Sequence, residues 1–185
     1  MVYCKFCHEK AIIRIPYAKL TLCSKHFNEY LLRKVLKSIE RYHMLKQGDK
    51  VLLAVSGGKD SATLLHVLSS IRHVLGIELY GIHINLGLGE YSRKSQEVAE
   101  KLFNLTKTSY VIVDLEEGLG YTIKELSKLS RRTICSVCGL VKRYTLNAIA
   151  KYFKINCIAT GHTLDDLTKF ILASFMTYKY EQLIK

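Results

Sequence analysis

The sequence predicts an α/β fold, a parallel doubly wound sheet preceded by a small cysteine-bearing N-terminal unit. Three observations carry this reading. From residue 50 onward, short Val/Ile-rich runs alternate with stretches of helical length. The first run ends in Ser56-Gly57-Gly58-Lys59-Asp60-Ser61, a glycine-rich turn that opens directly into a helical pattern. Before residue 27, Cys4-x2-Cys7 and Cys23-x2-His26 frame a stretch with hairpin character.

Each element follows in order. "AIIRIPYAKLTL" reads as two short strands around a turn at Pro16, the only proline. Residues 27–46 predict an amphipathic helix, with Phe27, Leu31, Val35, Ile39 and Tyr42 recurring at helical spacing. "KVLLAV" is a strand and 60–75 a helix; "ELYGIHI" is a strand and 91–106 a helix. "SYVIVDL" is a strand, followed by helices near 121–130 and 138–153. "INCIAT" is a strand and 163–178 a helix. Such apolar strands, each followed by a helix, are buried on both faces of a parallel sheet. The expected division is 1–26 as the cysteine unit, 27–49 as a linking helix and 50–185 as the α/β domain.

Composition bounds the function. The chain has 185 residues, 49% of them apolar, enough for one domain with a small appendage. Its net charge is +12, and residues 1–50, with 11 Lys/Arg against 4 Asp/Glu, hold +7 of it. A basic face fits a polyanionic partner, nucleic acid or a membrane surface; a merely solvated lysine-rich surface is the plain alternative. No apolar run is long enough for a transmembrane helix. Cys4, Lys5, Cys7 and His8 interrupt any signal-peptide pattern. The expected location is the cytoplasm, where six cysteines point to metal or catalysis rather than disulfides.

Ligands of open α/β sheets sit beyond the carboxyl ends of the strands, where Ser56–Ser61 falls. Its glycines let backbone approach a ligand closely, and successive N–H groups at a helix start cradle an anion. Lys59 adds a charge for phosphate, and Asp60 is tolerable there only with Mg²⁺. The spacing is neither a Walker A loop nor a G-x-G-x-x-G dinucleotide loop; a plain strand-to-helix turn is the bland reading. "ATGHTLDD" ends a later strand and brings Gly161, His162, Asp165 and Asp166 to the same mouth. The two aspartates would also complement a helix dipole.

Cys4, Cys7, Cys23 and His26 form a Cys₃His ligand set of zinc-ribbon type, with His8 a spare. Zinc would close a unit too small to fold alone. Cys135-x2-Cys138 lies in "RRTICSVCGLVKRYTLN", after a loop and before a helix, among Arg131, Arg132, Lys142 and Arg143. Three readings stay open for it: iron–sulfur ligands, a redox or persulfide-carrying pair, or zinc ligands and incidental thiols. Cys157, inside a strand, is expected in the core.

"SGGKDS" resembles the PP-loop of N-type ATP pyrophosphatases, which bind ATP, adenylate a substrate oxygen and release pyrophosphate. That resemblance implies a sheet of the HUP, adenine nucleotide alpha hydrolase-like, type. Together with the Cys₃His ribbon, "CSVCG-x2-KRY" and "GHTLDD", it resembles the archaeal and thermophile-type tRNA 2-thiouridine synthetases acting on T-loop uridine 54. The resemblance implies ATP contacts from Ala54, Ser56, Gly57, Gly58, Lys59, Asp60, Ser61, His83, Ile84, Lys142, Gly161 and Asp166, with His83 and Ile84 beside the adenine. It implies catalytic roles for Asp60 (through Mg²⁺), Lys142 and Asp166, and a [4Fe–4S] cluster on Cys135 and Cys138. A third cluster cysteine and a second zinc ribbon are expected beyond "GHTLDD" and are absent from this sequence, so the α/β domain is expected to be C-terminally incomplete relative to the family. The implied partners are tRNA, a ubiquitin-like thiocarboxylate sulfur carrier and a second copy in a homodimer; no membrane is involved. The expected activity is ATP-dependent tRNA uridine 2-thiolation through adenylation of the C2 oxygen. The competing readings are a truncated or degenerate zinc- and ATP-binding tRNA binder, and an amine-attaching PP-loop enzyme like the tRNA lysidine synthases.

Overall fold

Val51, Leu53 and Val55 point to one side of a strand and Leu52 to the other, yet all are almost completely buried. A strand apolar on both faces needs helices on both. In the computed structural model, which describes residues 2–178 and 180–183, it has them. This strand, β3 (Lys50–Ala54), lies in a four-stranded parallel sheet with β4 (Glu78–Asn85), β5 (Ser109–Asp114) and β6 (Cys157–Thr160), in the order β5-β4-β3-β6. Helices α1 (Ser24–Arg41), α2 (Lys59–Leu75) and α3 (Glu90–Thr106) cover one face. Helix α6 (Ile134–Tyr152) covers the other through Leu146 and Ala150. The doubly wound parallel sheet expected from the sequence is therefore the fold observed.

Ahead of it, β1 (Ile13–Ile15) and β2 (Leu20–Leu22) pair antiparallel around a 3-10 turn at Pro16–Ala18, as the hairpin pattern predicts. Helix α1 differs from expectation at both ends. It starts at Ser24, with Cys23 as its N-cap in extended backbone and His26 in its first turn, and it stops at Arg41. His43 turns left-handed (φ 49°), and Met44 N–H donates to Ile39 O, closing the helix before residue 46. Helices α1 and α2 lie side by side and parallel: Asn28 Oδ1, near the start of α1, is 3.1 Å from His66 Nε2 in the middle of α2, and Ile39 and Leu75, near their ends, pack in the same core. The hairpin is thereby held at the carboxyl end of the sheet.

Other boundaries shift for local reasons. Asp114 ends β5 and caps α4 (Leu115–Leu119), a short unforeseen helix that begins at the last residue of the expected strand, by accepting from Glu116 and Glu117 N–H at 2.9 and 3.1 Å. Thr122 opens α5 (Ile123–Ser130) with a capping box to Glu125. Thr133 caps α6 four residues ahead of the expected start, so Cys135 and Cys138 lie on the helix rather than before it. Helix α7 (Leu164–Met176) follows β6. Among the described residues no helix is long and apolar enough to cross a membrane.

Gly81 in β4 sits under the Phe103 ring, and a Cβ there would lie 2.2 Å from it. Phe103 is fully buried and stacks on Tyr110. Gly81→Ala is expected to destabilise the domain by about 1–3 kcal/mol through overpacking; chemical denaturation measures it.

Candidate functional site

The loop after β3 is organised by its own hydroxyls. Ser61 Oγ donates to Gly58 O at 3.0 Å and accepts from Ser56 N–H at 3.2 Å. Gly58 is the N-cap of α2 and offers no side chain, so the first N–H groups of the helix stay free for an anion. Gly57 has φ +81°, and a Cβ there would lie 2.7 Å from Ser95 O, so the loop rests directly on α3. Gly161, just after β6, sits as close from the other side: its Cβ would be 2.8 Å from Ser61 N. Three segments thus meet at the carboxyl ends of β3, β4 and β6.

Beside this junction lies a hollow of about 130 Å³ lined by Ala54, Ser56, His83, Ile84 and Lys142 of the expected ATP set. Gly57, Gly58, Lys59, Asp60, Ser61, Gly161 and Asp166 lie outside its lining, at the loop junction or the start of α7. Lys59 Nζ and Asp60 Oδ1 pair at 2.8 Å in solvent, and that partner raises the lysine pKa, with Asp166 contributing at longer range. Asp166 is occupied structurally. Its Oδ2 accepts from both the N–H and the hydroxyl of Thr163 at 2.8 Å, and these bonds lower its pKa. The structural role expected of the aspartate pair is at most to complement the helix dipole; Asp166 instead closes a capping box with Thr163.

His83 is buried, and Nδ1 lies 2.7 Å from Val55 O. Since a carbonyl only accepts, Nδ1 carries the proton. Burial lowers the pKa of this ring, and the Lys142 charge adds to that, so it is neutral at pH 7.

Tyr91, Ser92 and Ser95 of α3 line the same hollow and were not foreseen. Their signal was the glycine-rich turn ahead of them, where Gly87 and Gly89 take positive φ and Leu88 N–H donates to Ser92 Oγ at 3.0 Å.

Cys135 and Cys138 are one turn apart on α6. Cys135 is exposed; Cys138 is partly buried against the cluster formed by Leu86, Leu115, Ile123 and Val137. These two thiols are fewer than a [4Fe–4S] cluster needs. Cys157 cannot join them. It begins β6 at the opposite end of the sheet, opposite Val51, half-buried against the core and 3.8 Å from Asp49. The donor set fits part of such a cluster.

The N-terminal group is complete. Cys4, Cys7, Cys23 and His26 place one donor atom each within 4.8 Å of one another. The His26 Nδ1–sulfur distances are 3.3–3.4 Å, and Cys7 and Cys23 sulfurs are 3.6 Å apart. A tetrahedron with metal–sulfur bonds near 2.3 Å and metal–nitrogen bonds near 2.0 Å has edges of about 3.5–3.8 Å, so a metal ion fits. Without metal the thiols are unequal. Burial pushes Cys4 up, but backbone N–H groups of Phe6, Cys23 and Cys7 bring it down to about 6. Cys23 is pulled down by a backbone bond at His26 yet pushed up to about 11 by burial and by Glu9, Cys7 and Cys4.

A cradle of free helix N–H groups at a strand's carboxyl end, beside a hollow floored by the sheet, defines a nucleotide-binding α/β protein. Residues 27–182 match the profile of the PP-loop domain, and the chain belongs to that family. Residues 3–28 match the N-terminal LIM domain of 2-thiouridine synthetase TtuA. The chain is 46% identical over 182 residues to a tRNA-5-methyluridine(54) 2-sulfurtransferase of Pyrococcus horikoshii, covering 98% of this chain and 57% of that protein. A Thermus thermophilus protein of the same name is 39% identical, covering 97% and 55%. The solved U34-tRNA thiolase NcsA of Methanococcus maripaludis, with its [4Fe–4S] cluster, superposes with a TM-score of 0.84 at 26% identity, covering 100% of this chain and 61% of that one. The chain thus spans little more than half the length of these relatives.

Cys23→Ser is expected to abolish the metal stoichiometry of the N-terminal group and to loosen the hairpin, while the parallel sheet stays folded. Metal analysis by mass spectrometry with far-UV circular dichroism checks both; full retention of metal would remove Cys23 from the ligand set.

Proposed function

We propose that this chain acts in ATP-dependent tRNA uridine 2-thiolation. ATP binds across the loop junction with its phosphates on the free N–H groups of α2 and its adenine against His83 and Ile84. The uridine C2 oxygen attacks the α-phosphorus and pyrophosphate leaves; sulfide-level sulfur, released when water cleaves the C–S bond of the donor's thiocarboxylate, then forms the C2–S bond as the C2–O bond breaks and AMP departs. The observation that carries this reading is the meeting of three segments around Gly57 and Gly161 beside a hollow lined by Lys142, which follows Cys138 by one turn of α6.

The residues divide the work by their chemistry. Ser56, Gly57, Gly58 and Ser61 shape the phosphate cradle, with Ala54 at its base. Lys59 at the start of α2 and Lys142 in the hollow oppose phosphate charge. Asp60 holds Mg²⁺, which when bound offsets charge on the departing pyrophosphate. Gly161 seats its loop on the cradle, and Asp166 orients that loop through its cap. Cys135 and Cys138 contribute two thiolates toward a [4Fe–4S] cluster, which when complete supplies the sulfur chemistry. Zinc is the metal suited to the Cys₃His group. We divide the chain into a ribbon (1–26), a linking helix (27–49) and the PP-loop domain (50–185). The sulfur donor is a ubiquitin-like thiocarboxylate carrier, the assembly a homodimer, and the compartment the cytoplasm, where these thiols stay reduced.

A second reading, a zinc- and ATP-binding tRNA binder without catalysis, is favoured by the incomplete cluster donors. Formation of AMP and pyrophosphate that depends on added tRNA separates the two. Under the enzymatic reading, Lys59→Ala weakens ATP binding by about 1.5–3 kcal/mol, the worth of a charge-assisted hydrogen bond. Asp60→Ala keeps ATP bound and loses Mg²⁺-dependent pyrophosphate release. Calorimetry and a pyrophosphate assay read these out; unchanged ATP affinity in Lys59→Ala removes the phosphate role.

Binding of tRNA is expected to weaken linearly in log–log form with rising salt, as the basic N-terminal region displaces counterions from phosphates. A salt titration by fluorescence anisotropy measures the slope, and a flat line leaves that region merely solvated.

A further inference from the structure

Pairing between β3 and β4 stops one hydrogen bond short at the edge of the hollow. The two strands keep parallel register up to Ala54 opposite Ile82, and Val55 N–H still donates to Ile82 O at 2.9 Å. Main-chain groups alternate sides along a strand, so Ile84 N–H points toward β3 as that of Ile82 does. The next rung of a parallel ladder would run from Ile84 N–H to Val55 O. That rung is missing. Val55 O accepts instead from His83 Nδ1–H at 2.7 Å. A side chain of β4 has thus taken the acceptor that the main chain of β4 would use. Among the described residues no other main-chain acceptor takes up Ile84 N–H.

The ring is expensive to hold there. His83 is 2% exposed, and its Nε2 is buried without a partner. A neutral imidazole that donates from Nδ1 keeps an acceptor at Nε2, and leaving that acceptor unpaired is unfavourable. On the same face of β4, Leu79 packs in an apolar core with Ala99 and Phe103, so an aliphatic side chain would suit this side of the strand and leave nothing unpaired. A half-satisfied buried ring is therefore explained by what its Nδ1–H does rather than by packing.

The amide so released borders the hollow, which Ala54, Val55, His83 and Ile84 all line. A lone N–H among apolar neighbours such as Ile82 and Leu146 suits a flat heterocycle with a ring-nitrogen acceptor. We propose that His83 is a positioning residue: its Nδ1–H holds Val55 O out of the ladder and so keeps Ile84 N–H free to donate to a ring nitrogen of the adenine. The identity of the base rests on the ATP reading above; the release of the amide does not.

Two variants, two ligands and one exchange measurement test this. His83→Leu removes the donor at similar volume, and His83→Asn returns an N–H near the place of Nδ1. Calorimetry with Mg²⁺-ATP is expected to show an affinity about tenfold weaker in His83→Leu, the worth of one hydrogen bond, and within about threefold of the unsubstituted chain in His83→Asn. Mg²⁺-tripolyphosphate, which carries no base, is expected to bind all three chains alike. Amide exchange by NMR without nucleotide is expected to be at least about tenfold faster at Ile84 than at Ile82 in the unsubstituted chain, and to slow at Ile84 in His83→Leu as the missing rung closes. An Ile84 amide as protected as that of Ile82 in the unsubstituted chain overturns the proposal, and this result needs no variant to fold. Equal losses of ATP and tripolyphosphate affinity in His83→Leu overturn it too, as does a His83→Asn chain no better than His83→Leu. A fast Ile84 amide in a chain that fails to bind ATP upholds the released donor and removes the ATP reading instead.

Discussion

Gly57 rests on the backbone of Ser95, and Gly161 rests on the backbone of Ser61, each at a distance no Cβ permits. These two contacts hold the loop after β3 between α3 and the segment after β6. The remaining site features depend on that clamp. Ser56 and Ser61 can bond one another only while the turn is tight, and the uncapped start of α2 faces a ligand only while the turn directs it there. Lys142 reaches the same hollow from the other face of the sheet, on a helix anchored by Leu146. Backbone-to-backbone packing is stiff, since no rotamer change can relieve a crowding atom. A site built this way is positioned before any ligand arrives, which lowers the ordering cost of binding.

The N-terminal unit obeys a different constraint. Its buried residues are Cys4, Ile15, Leu22 and Cys23, so two of the four are metal donors. Too little apolar surface is available to fold it unaided, and the free energy of metal binding becomes its folding energy. His26 sits in the first turn of α1, the helix that carries Ile39 into the main core. Metal, hairpin and sheet are thus joined through one continuous helix. Tyr17 and Tyr30 hydroxyls, 3.0 Å apart, tie the hairpin turn to that helix a second time.

Much of this could be read in the sequence, and the failures are specific. Ser56–Ser61 and the Cys₃His spacing are local signatures, in which a few neighbouring residues meet a geometric need, and both stand out unaided. The strand–helix alternation survived because the apolar residues of β3 and of the middle of β4 are buried on both faces of the sheet. What failed was set by single hydrogen bonds. Asp114 converts the end of a strand into the cap of α4, and Thr133 starts α6 early enough to carry both thiols. The contribution of Tyr91, Ser92 and Ser95 was hidden for another reason: it depends on α3 folding back against the loop, a contact between segments over thirty residues apart. Asp166 was half legible, because the same carboxylate that suits a ligand also suits the helix start it caps.

The parallel pairing of α1 with α2 has a bearing on kinetics. His66, at the contact with Asn28, lies two turns past Lys59, about 10 Å along α2. Under the proposed function, an RNA held by the basic N-terminal region keeps its neighbouring nucleotides within tens of ångströms of the phosphate cradle. Engagement at the cradle then becomes an intramolecular event, governed by a local concentration in the millimolar range rather than by the dilute concentration of the polymer in solution. Each contact can be weak enough to release product quickly while the pair together retains its grip.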